Sequence, residues 1–321
     1  MRALQTLTLQ PPAKINLLLY VLDRRPDGYH RILSLMQMVD LRDGLTLVRR
    51  PASEGIRLSA LGRSIPAGGE NLAVRAARAW MDRYGIESGL RIRLVKKIPV
   101  GAGLGGGSGN AAAVLAGLCR MFGLKPSREE LAALAQSIGS DVPFFLNGPT
   151  AWVSGTGEAV APAALTEAGW VVLVNPGFEV STARIYAEYD RAPPPRDPER
   201  GAFLEKIGLT LDPEHLRISD RRVKAFPLLK RSFSLQNDLE VITIRRHPVI
   251  AAIKERLLFL GAGEALMSGS GPTVFGLFAD SVSARRAAVR FRRGGMKPGG
   301  VDRTWTIRVA RLLRRPPWSI R

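Results

Sequence analysis

The sequence predicts an α+β fold of two packed domains, and three observations carry that expectation. The chain has 321 residues, about twice the usual single-domain length. Strand-like and helix-like segments are mixed along it, with no repeat at solenoid periods. Hydrophobic residues make up 45% and charged residues 23%, enough apolar material for a sizeable core. The expected domains are residues 1–165 and residues 166–321.

The elements follow in order. Lys14 to Leu22 (KINLLLYVL) is a strongly apolar strand candidate, ended by the turn-rich Asp23 to Gly28. Gly44 to Arg50 and Gly55 to Ser59 read as two short strands. Asn71 to Tyr84 carries apolar residues at helical spacing and stops at Gly85. Leu90 to Val95 alternates apolar and basic residues, the pattern of a half-exposed strand. After a glycine-rich loop, an alanine-rich helix is expected from about Asn110 to Phe122. Ser127-Arg128-Glu129-Glu130 is a capping box for the next helix, with Gly139 as its stop. The second region opens near Trp170 with the strand WVVLVNPG. Arg191 to Arg200 is a proline-rich charged loop. His247 to Leu260 reads as a helix running into the turn Gly261-Ala262-Gly263.

Charge is unevenly placed. The net charge is +19, and arginine supplies 38 of the 47 basic residues. From Ser281 to Arg321, twelve Lys or Arg stand against one acid, Asp302, so +11 falls in the last 41 residues. Nucleic acid or an anionic membrane is one reading of such a tail. The other is a solvated basic face, because Trp305, Ile307, Val309, Leu312 and Leu313 alternate through it and no nucleic-acid motif accompanies the charge. On the second reading, removing residues from Pro316 onward leaves activity within a few-fold. The start of the chain lacks the features of a signal peptide, and no run nears the roughly 18 apolar residues of a membrane span. The single cysteine, Cys119, sits among alanine and leucine and has no internal disulfide partner. A soluble, cytoplasmic protein is expected.

The segment richest in chemistry is Pro99-Val100-Gly101-Ala102-Gly103-Leu104-Gly105-Gly106-Gly107-Ser108-Gly109. Glycines lack a Cβ, so consecutive N–H groups can close on phosphate oxygens, and the following helix adds its positive end. Ser108 contributes a hydroxyl for phosphate or Mg²⁺. Gly101-x-Gly103-x-x-Gly106 satisfies the dinucleotide pattern, but the residues about 20 further on, Glu129 and Glu130, begin a helix instead of ending a strand. No Lys-Ser or Lys-Thr follows the glycines, so the Walker pattern fails. Asp141, after a helix stop and beside Val142-Pro143-Phe144-Phe145, is either a general base in a partly dry cleft or a cap for the next segment. Lys14 lies in an apolar strand, where an ammonium is costly without a partner. Asn16, two residues on, faces the same side. Tyr29 and His30 follow Gly28; they suit stacking and edge recognition of a base, or a tyrosine packed under its own hairpin.

The glycine segment resembles the pattern P-x-G-x-G-L-G-x-G-S of the galactokinase, homoserine, mevalonate and phosphomevalonate kinase superfamily. Pro12-Ala13-Lys14-Ile15-Asn16 and Met267-Ser268-Gly269-Ser270-Gly271-Pro272-Thr273-Val274-Phe275 are similar to its first and last motifs, in the same order. Within it, the chain most resembles the 4-diphosphocytidyl-2-C-methyl-D-erythritol kinase family. That likeness rests on Arg25-Pro26-Asp27-Gly28-Tyr29-His30, on Ser140-Asp141-Val142-Pro143-Phe144-Phe145 and on Gln236-Asn237-Asp238-Leu239-Glu240. One position departs, Gly109, where that family often has a second serine. The resemblance implies a two-domain kinase fold with a ribosomal-protein-like N-terminal domain and a site in the cleft between domains. It further implies ATP and Mg²⁺, and a small-molecule substrate bearing cytidine diphosphate, with no membrane or nucleic-acid partner. By the same resemblance Lys14 and Asp141 are the reactive pair and Pro99 to Gly109 bind ATP. Asn16, Tyr29, His30, Thr182 and Tyr186 then hold the substrate, with Tyr186 a second stacking face, and Asn237–Asp238 lie nearby.

Overall fold

The computed structural model describes residues 5–62, 68–165, 168–194, 200–201, 235–294 and 305–318, with three dipeptide strands at 209–210, 217–218 and 225–226. The first half holds β1 (Thr6–Leu9), β2 (Pro12–Arg24), β3 (His30–Arg42), β4 (Gly44–Arg50) and β5 (Ile56–Gly62). Helix α1 (Leu72–Tyr84), β6 (Gly89–Lys96) and helices α2 (Gly106–Phe122), α3 (Arg128–Ile138) and α4 (Val142–Asn147) follow. Strands β7 (Thr150–Gly155) and β8 (Ala159–Leu165) close that half. The second half runs from β9 (Trp170–Asn175) and α5 (Thr182–Arg191) through β10 (Leu209–Thr210), β11 (Arg217–Ile218), β12 (Ala225–Phe226) and β13 (Gln236–Asn237). It ends with α6 (Glu240–Arg246), α7 (Val249–Phe259), β14 (Glu264–Met267), β15 (Val274–Phe278), α8 (Ser281–Arg293) and β16 (Thr306–Arg311).

Local signals account for most helix ends. Asn71 caps α1 by accepting from the Ala73 N–H at 3.0 Å, and Gly85 closes it in the left-handed region. The capping box of α3 is complete: Ser127 Oγ accepts from the Glu130 N–H, and the Glu130 carboxylate accepts from the Ser127 N–H. Helix α2 begins at Gly106, four residues before the expected start. Glycine is a poor helix former, so its propensity hides a start that packing imposes. Strand β3 is a second element the sequence does not announce. Residues Leu33 to Val39 are buried on both faces, so no polar alternation marks it.

Three sheets organise the chain, with strand orders β1-β4-β6-β5, β12-β8-β7-β3-β2-β13 and β14-β15-β9-β16, beside the ribbon β10-β11. The middle sheet joins both halves, since β13 pairs parallel with β2 through Gln236↔Leu18 and β12 with β8. That places β2 between neighbours on both sides and explains its continuous burial. Helix α2 is buried along nearly its whole length, which its alanines permit at close approach. Cys119 is within that core, and burial pushes its thiol pKa up, so it is a packing residue rather than a nucleophile.

The basic C-terminal region is folded. Helix α8 buries Ala284, Ala287, Ala288 and Phe291 and exposes Arg285, Arg286, Arg290, Arg292 and Arg293. Strand β16 pairs with β9 and turns Arg308 and Arg311 outward. Past β16 the chain crosses to the first half. The Leu313 N–H donates to the Met38 carbonyl at 2.9 Å, and Gln37 Nε2 donates to the Leu313 carbonyl at 2.8 Å. Trp318 then packs, 5% exposed, into the core around α1 and α2. The segment from Pro316 onward is thus not wholly a solvated face, because Trp318 within it is buried. No helix among the described residues is long and apolar enough to cross a membrane.

Trp318→Ala opens a cavity under α1 and α2 and is expected to lower unfolding free energy by about 3–5 kcal/mol. Urea unfolding measures it, and a loss under about 1 kcal/mol would contradict the packing role assigned to the indole.

Candidate active site

Lys14 lies on β2 with its side chain 5% exposed. Its Nζ donates to Asn16 Oδ1 at 2.7 Å and stands 3.4 Å from Asp141 Oδ2. Its own backbone N–H donates to the Leu104 carbonyl at 2.9 Å, which fastens the glycine segment to β2. Asn16 is held in turn by Nδ2 donating to Ser34 Oγ at 2.8 Å, and Ser34 donates onward to the Leu18 carbonyl. The two residues do face one side of the strand, as alternation requires. With its amide so engaged, Asn16 orients the ammonium. Asp141 precedes α4 and makes no capping hydrogen bond to it, and its side chain is 30% exposed. Of the two roles open from sequence, the cap is excluded. A carboxylate and an ammonium thus meet where the buried cation is compensated and the acid reaches solvent.

The glycine segment is shaped by what it must touch. Gly101, Gly103 and Gly105 have φ of +59°, +73° and +64°, where side chains are strained. A Cβ on Gly103 would lie 2.0 Å from the Ser268 carbonyl oxygen, and one on Gly105 would lie 2.9 Å from Lys14 Cγ. Ser268 Oγ donates to the Gly103 carbonyl at 2.9 Å and accepts from the Asn16 N–H at 3.3 Å. The three motifs that were separate in sequence therefore meet at one point. Gly106, Gly107 and Ser108 form the first turn of α2, where N–H groups lack intrahelical partners and the helix end is positive. Gly109 belongs to that turn also, and a Cβ there would lie 2.8 Å from the Pro12 carbonyl oxygen. A side chain at this position would need the Pro12 carbonyl to shift.

Two residues beside the loop carry no motif and were not legible. Lys96, at the end of β6, is buried against Asp43, whose other oxygen accepts from the N–H groups of Lys97 and Ile98 at 2.7 and 2.9 Å. A Cβ on Gly106 would come within 2.7 Å of Lys96 Nζ, so this cation sits against the start of α2. Asn110 is the other. It is buried and lines the cleft, and its Oδ1 has no hydrogen-bond partner among the described residues.

The opposite end of the cleft is aromatic. Tyr29 stands 66% exposed on the turn that Gly28 makes at φ +88°. His30 is the first residue of β3 rather than part of a loop, and Nε2 meets Asp190 Oδ1 at 2.6 Å. Its ring stacks on Tyr186, with centroids 4.7 Å apart and planes at 23°, so one face of Tyr186 is occupied by His30. Burial, then the negative charge of Asp141, pushes the Tyr186 phenol pKa well up, leaving it a protonated donor. Thr182, at the start of α5, shares a 2.8 Å hydrogen bond with Ser270. Lys14, Asn16, Asp141, Pro99 to Ser108, Tyr29, His30, Thr182 and Tyr186 all line one cleft of about 990 Å³, and Gly109, expected with them, does not. Asn237 and Asp238 do not. Asn237 Nδ2 donates to the Met267 and Gly269 carbonyls, both at 2.8 Å, and Asp238 accepts from the Val21 N–H and from Arg200. They brace the last glycine turn and β2 from behind.

Residues 71–149 match the GHMP kinases N terminal domain, and residues 222–295 match GHMP kinases C terminal. A 4-diphosphocytidyl-2-C-methyl-D-erythritol kinase of Geobacter metallireducens is 44% identical over 285 residues, 89% of this chain and 94% of that protein. One from Moorella thermoacetica is 44% identical over 90% of this chain and 96% of its own length. The chain belongs to the 4-diphosphocytidyl-2-C-methyl-D-erythritol kinase family. A crystal structure of 4-(cytidine 5'-diphospho)-2C-methyl-D-erythritol kinase aligns with a TM-score of 0.69 at 35% identity, covering 95% of this chain and 99% of that one. A homoserine kinase from Cytophaga hutchinsonii has the same TM-score at 19% identity, which shows that the two-domain kinase fold is shared more widely than the family.

Gly103→Ala is expected to lower thermal stability by more than the roughly 1–2 kcal/mol of a left-handed Cβ, because it also meets the Ser268 carbonyl. Gly107→Ala, whose nearest contact would be Leu72 Cδ1 at 3.5 Å, is expected to match or exceed the parent without nucleotide. Equal melting temperatures for the two variants would refute the close-approach account.

Proposed function

We propose that this chain moves the γ-phosphoryl group of ATP onto the 2-hydroxyl of 4-diphosphocytidyl-2-C-methyl-D-erythritol. The products are the 2-phosphate and ADP, in the non-mevalonate route to isoprenoid precursors. The observation that carries the reading is the Lys14–Asp141 pair, set in one cleft with a glycine cradle on one side and the His30–Tyr186 stack on the other. The cradle suits ATP phosphates because Gly105, Gly106 and Gly107 line the cleft where α2 begins and its first N–H groups lack intrahelical partners.

Phosphoryl transfer needs positioning, charge stabilisation and one group to handle the hydroxyl proton. Asp141 takes or orients that proton. Lys14, fixed by Asn16, faces the charge that develops between hydroxyl and phosphate. Among the described residues no three His, Cys, Asp or Glu side chains cluster into a metal cage. Mg²⁺ carried by the phosphates would need one or two protein oxygens, and the Ser108 hydroxyl and Asn110 Oδ1 are two that line the cleft beside the glycine segment. Bound Mg²⁺ supplies neutralisation of phosphate charge. Tyr29, exposed at the cleft, is the stacking partner for the base, and His30 reads its edge. None of the arginines exposed on α8 lines the cleft, so we read the tail as a solvated face of a cytoplasmic enzyme.

An ADP-release assay across candidate alcohols tests the reading: the cytidylated alcohol should be strongly preferred, and free methylerythritol should be very poor because remote binding energy positions the hydroxyl. Faster turnover of mevalonate or homoserine would overturn it. Asp141→Asn and Lys14→Met should each lower kcat by roughly 10²-fold or more with ATP binding kept. Near-parental turnover of Asp141→Asn would remove its role as base. Tyr29→Ala should weaken the cytidylated substrate by roughly 1–3 kcal/mol, the stacking contribution of one base, with the KM for ATP unchanged. Unaltered substrate affinity would exclude stacking by Tyr29.

A further inference from the structure

We infer that Asp190 is a positioning residue for base recognition: its carboxylate fixes His30 in the tautomer whose Nδ1 is a bare acceptor, and this selects a base with an amine at position 4. The inference rests on the reading of the cleft as a site for a cytidylated alcohol.

The geometry starts from the 2.6 Å contact between His30 Nε2 and Asp190 Oδ1. An ionised carboxylate offers only acceptors, so the proton of that bond belongs to Nε2. In the neutral imidazole the second nitrogen then carries none, and Nδ1 accepts. The ring cannot easily turn to exchange its nitrogens. Its side chain is 7% exposed, with Tyr186 stacked on one face at 4.7 Å and Tyr189 at its edge with centroids 6.3 Å apart. Arg24 Nη1 lies 3.4 Å from the other oxygen of Asp190, so the carboxylate is held from two sides.

A fixed acceptor discriminates between pyrimidines. Cytosine presents an exocyclic amine, a donor, at position 4, whereas uracil presents a carbonyl oxygen there. Against an Nδ1 acceptor the first makes a hydrogen bond and the second sets two lone pairs against each other. A site that would hydrogen-bond one analogue and leave the other's polar group opposed separates them far better than an apolar pocket of the same shape. Sequence alone gives no hint of Asp190, which lies 160 residues from His30.

The test compares kcat/KM for the cytidylated and the uridylated alcohol in the parent, His30→Ala, Asp190→Ala and the double variant. The parent should prefer the cytidylated form. His30→Ala and Asp190→Ala should each reduce that preference by at least about tenfold, the scale of one lost hydrogen bond. The KM for ATP should stay within a few-fold, and the double variant should discriminate no worse than His30→Ala. If His30→Ala keeps the parental preference, the cleft reading itself fails. If His30→Ala loses it and Asp190→Ala keeps it, the role of Asp190 fails alone. Asp190→Leu, which keeps the bulk but offers no acceptor, guards against a cavity effect in the alanine variant and should also lose discrimination. Independently, ring ¹⁵N shifts of His30 in the parent enzyme should show Nε2 protonated and Nδ1 bare in mildly alkaline buffer. A protonated Nδ1 there would overturn the inference.

Discussion

The backbone of Gly103 passes so near the Ser268–Gly271 turn that no side chain fits between them, and the rest of the site is arranged around that passage. Ser268 spans it with one hydroxyl, donating to the Gly103 carbonyl and accepting from the Asn16 N–H. Asn237, from a strand added to the far edge of β2, holds the same turn from behind through the Met267 and Gly269 carbonyls. Residues near positions 16, 103, 237 and 268 are thereby locked into a few ångströms. The open side of the glycine segment, released from any packing duty, is what remains to face a ligand.

Burying ions is expensive unless each has a partner, and the cleft is ringed with such pairs. Lys14 with Asp141 faces the open space; Lys96 with Asp43 lies beneath the glycine segment; Arg200 with Asp238 lies behind β2. Only the first leaves its acid substantially accessible, at 30%. That asymmetry sets the Lys14–Asp141 pair apart from the two that are closed to solvent. Asp43 and Asp238 also accept backbone N–H groups, so they hold chain segments in place as well as balancing charge.

What the sequence made legible is what short-range chemistry encodes. The caps of α1 and α3, the alternation of β6 and the glycine run all act over a few residues, and each has its structural counterpart. The order of three motifs foretold a meeting that their spacing alone did not describe. Illegible parts depend on distant partners. Strand β3 is apolar on both faces because sheet neighbours and helices cover it, so its periodicity vanishes. Asp190, Lys96 and Asn110 acquire meaning from residues or open space far along the chain. Asn237–Asp238 mark the reverse error: a motif that travels with the site while working behind it.

The crossing of the C-terminus has a consequence for how the molecule is made. Leu312 bridges Val39, Leu313 bonds to the Gln37–Met38 segment, and Trp318 fills the core beneath α1 and α2. The first-half core therefore stays incomplete until residues 312–318 have been made, however early its own strands emerge. A chain that stops short of them exposes the apolar bed of Trp318, a surface by which partly folded chains adhere to one another.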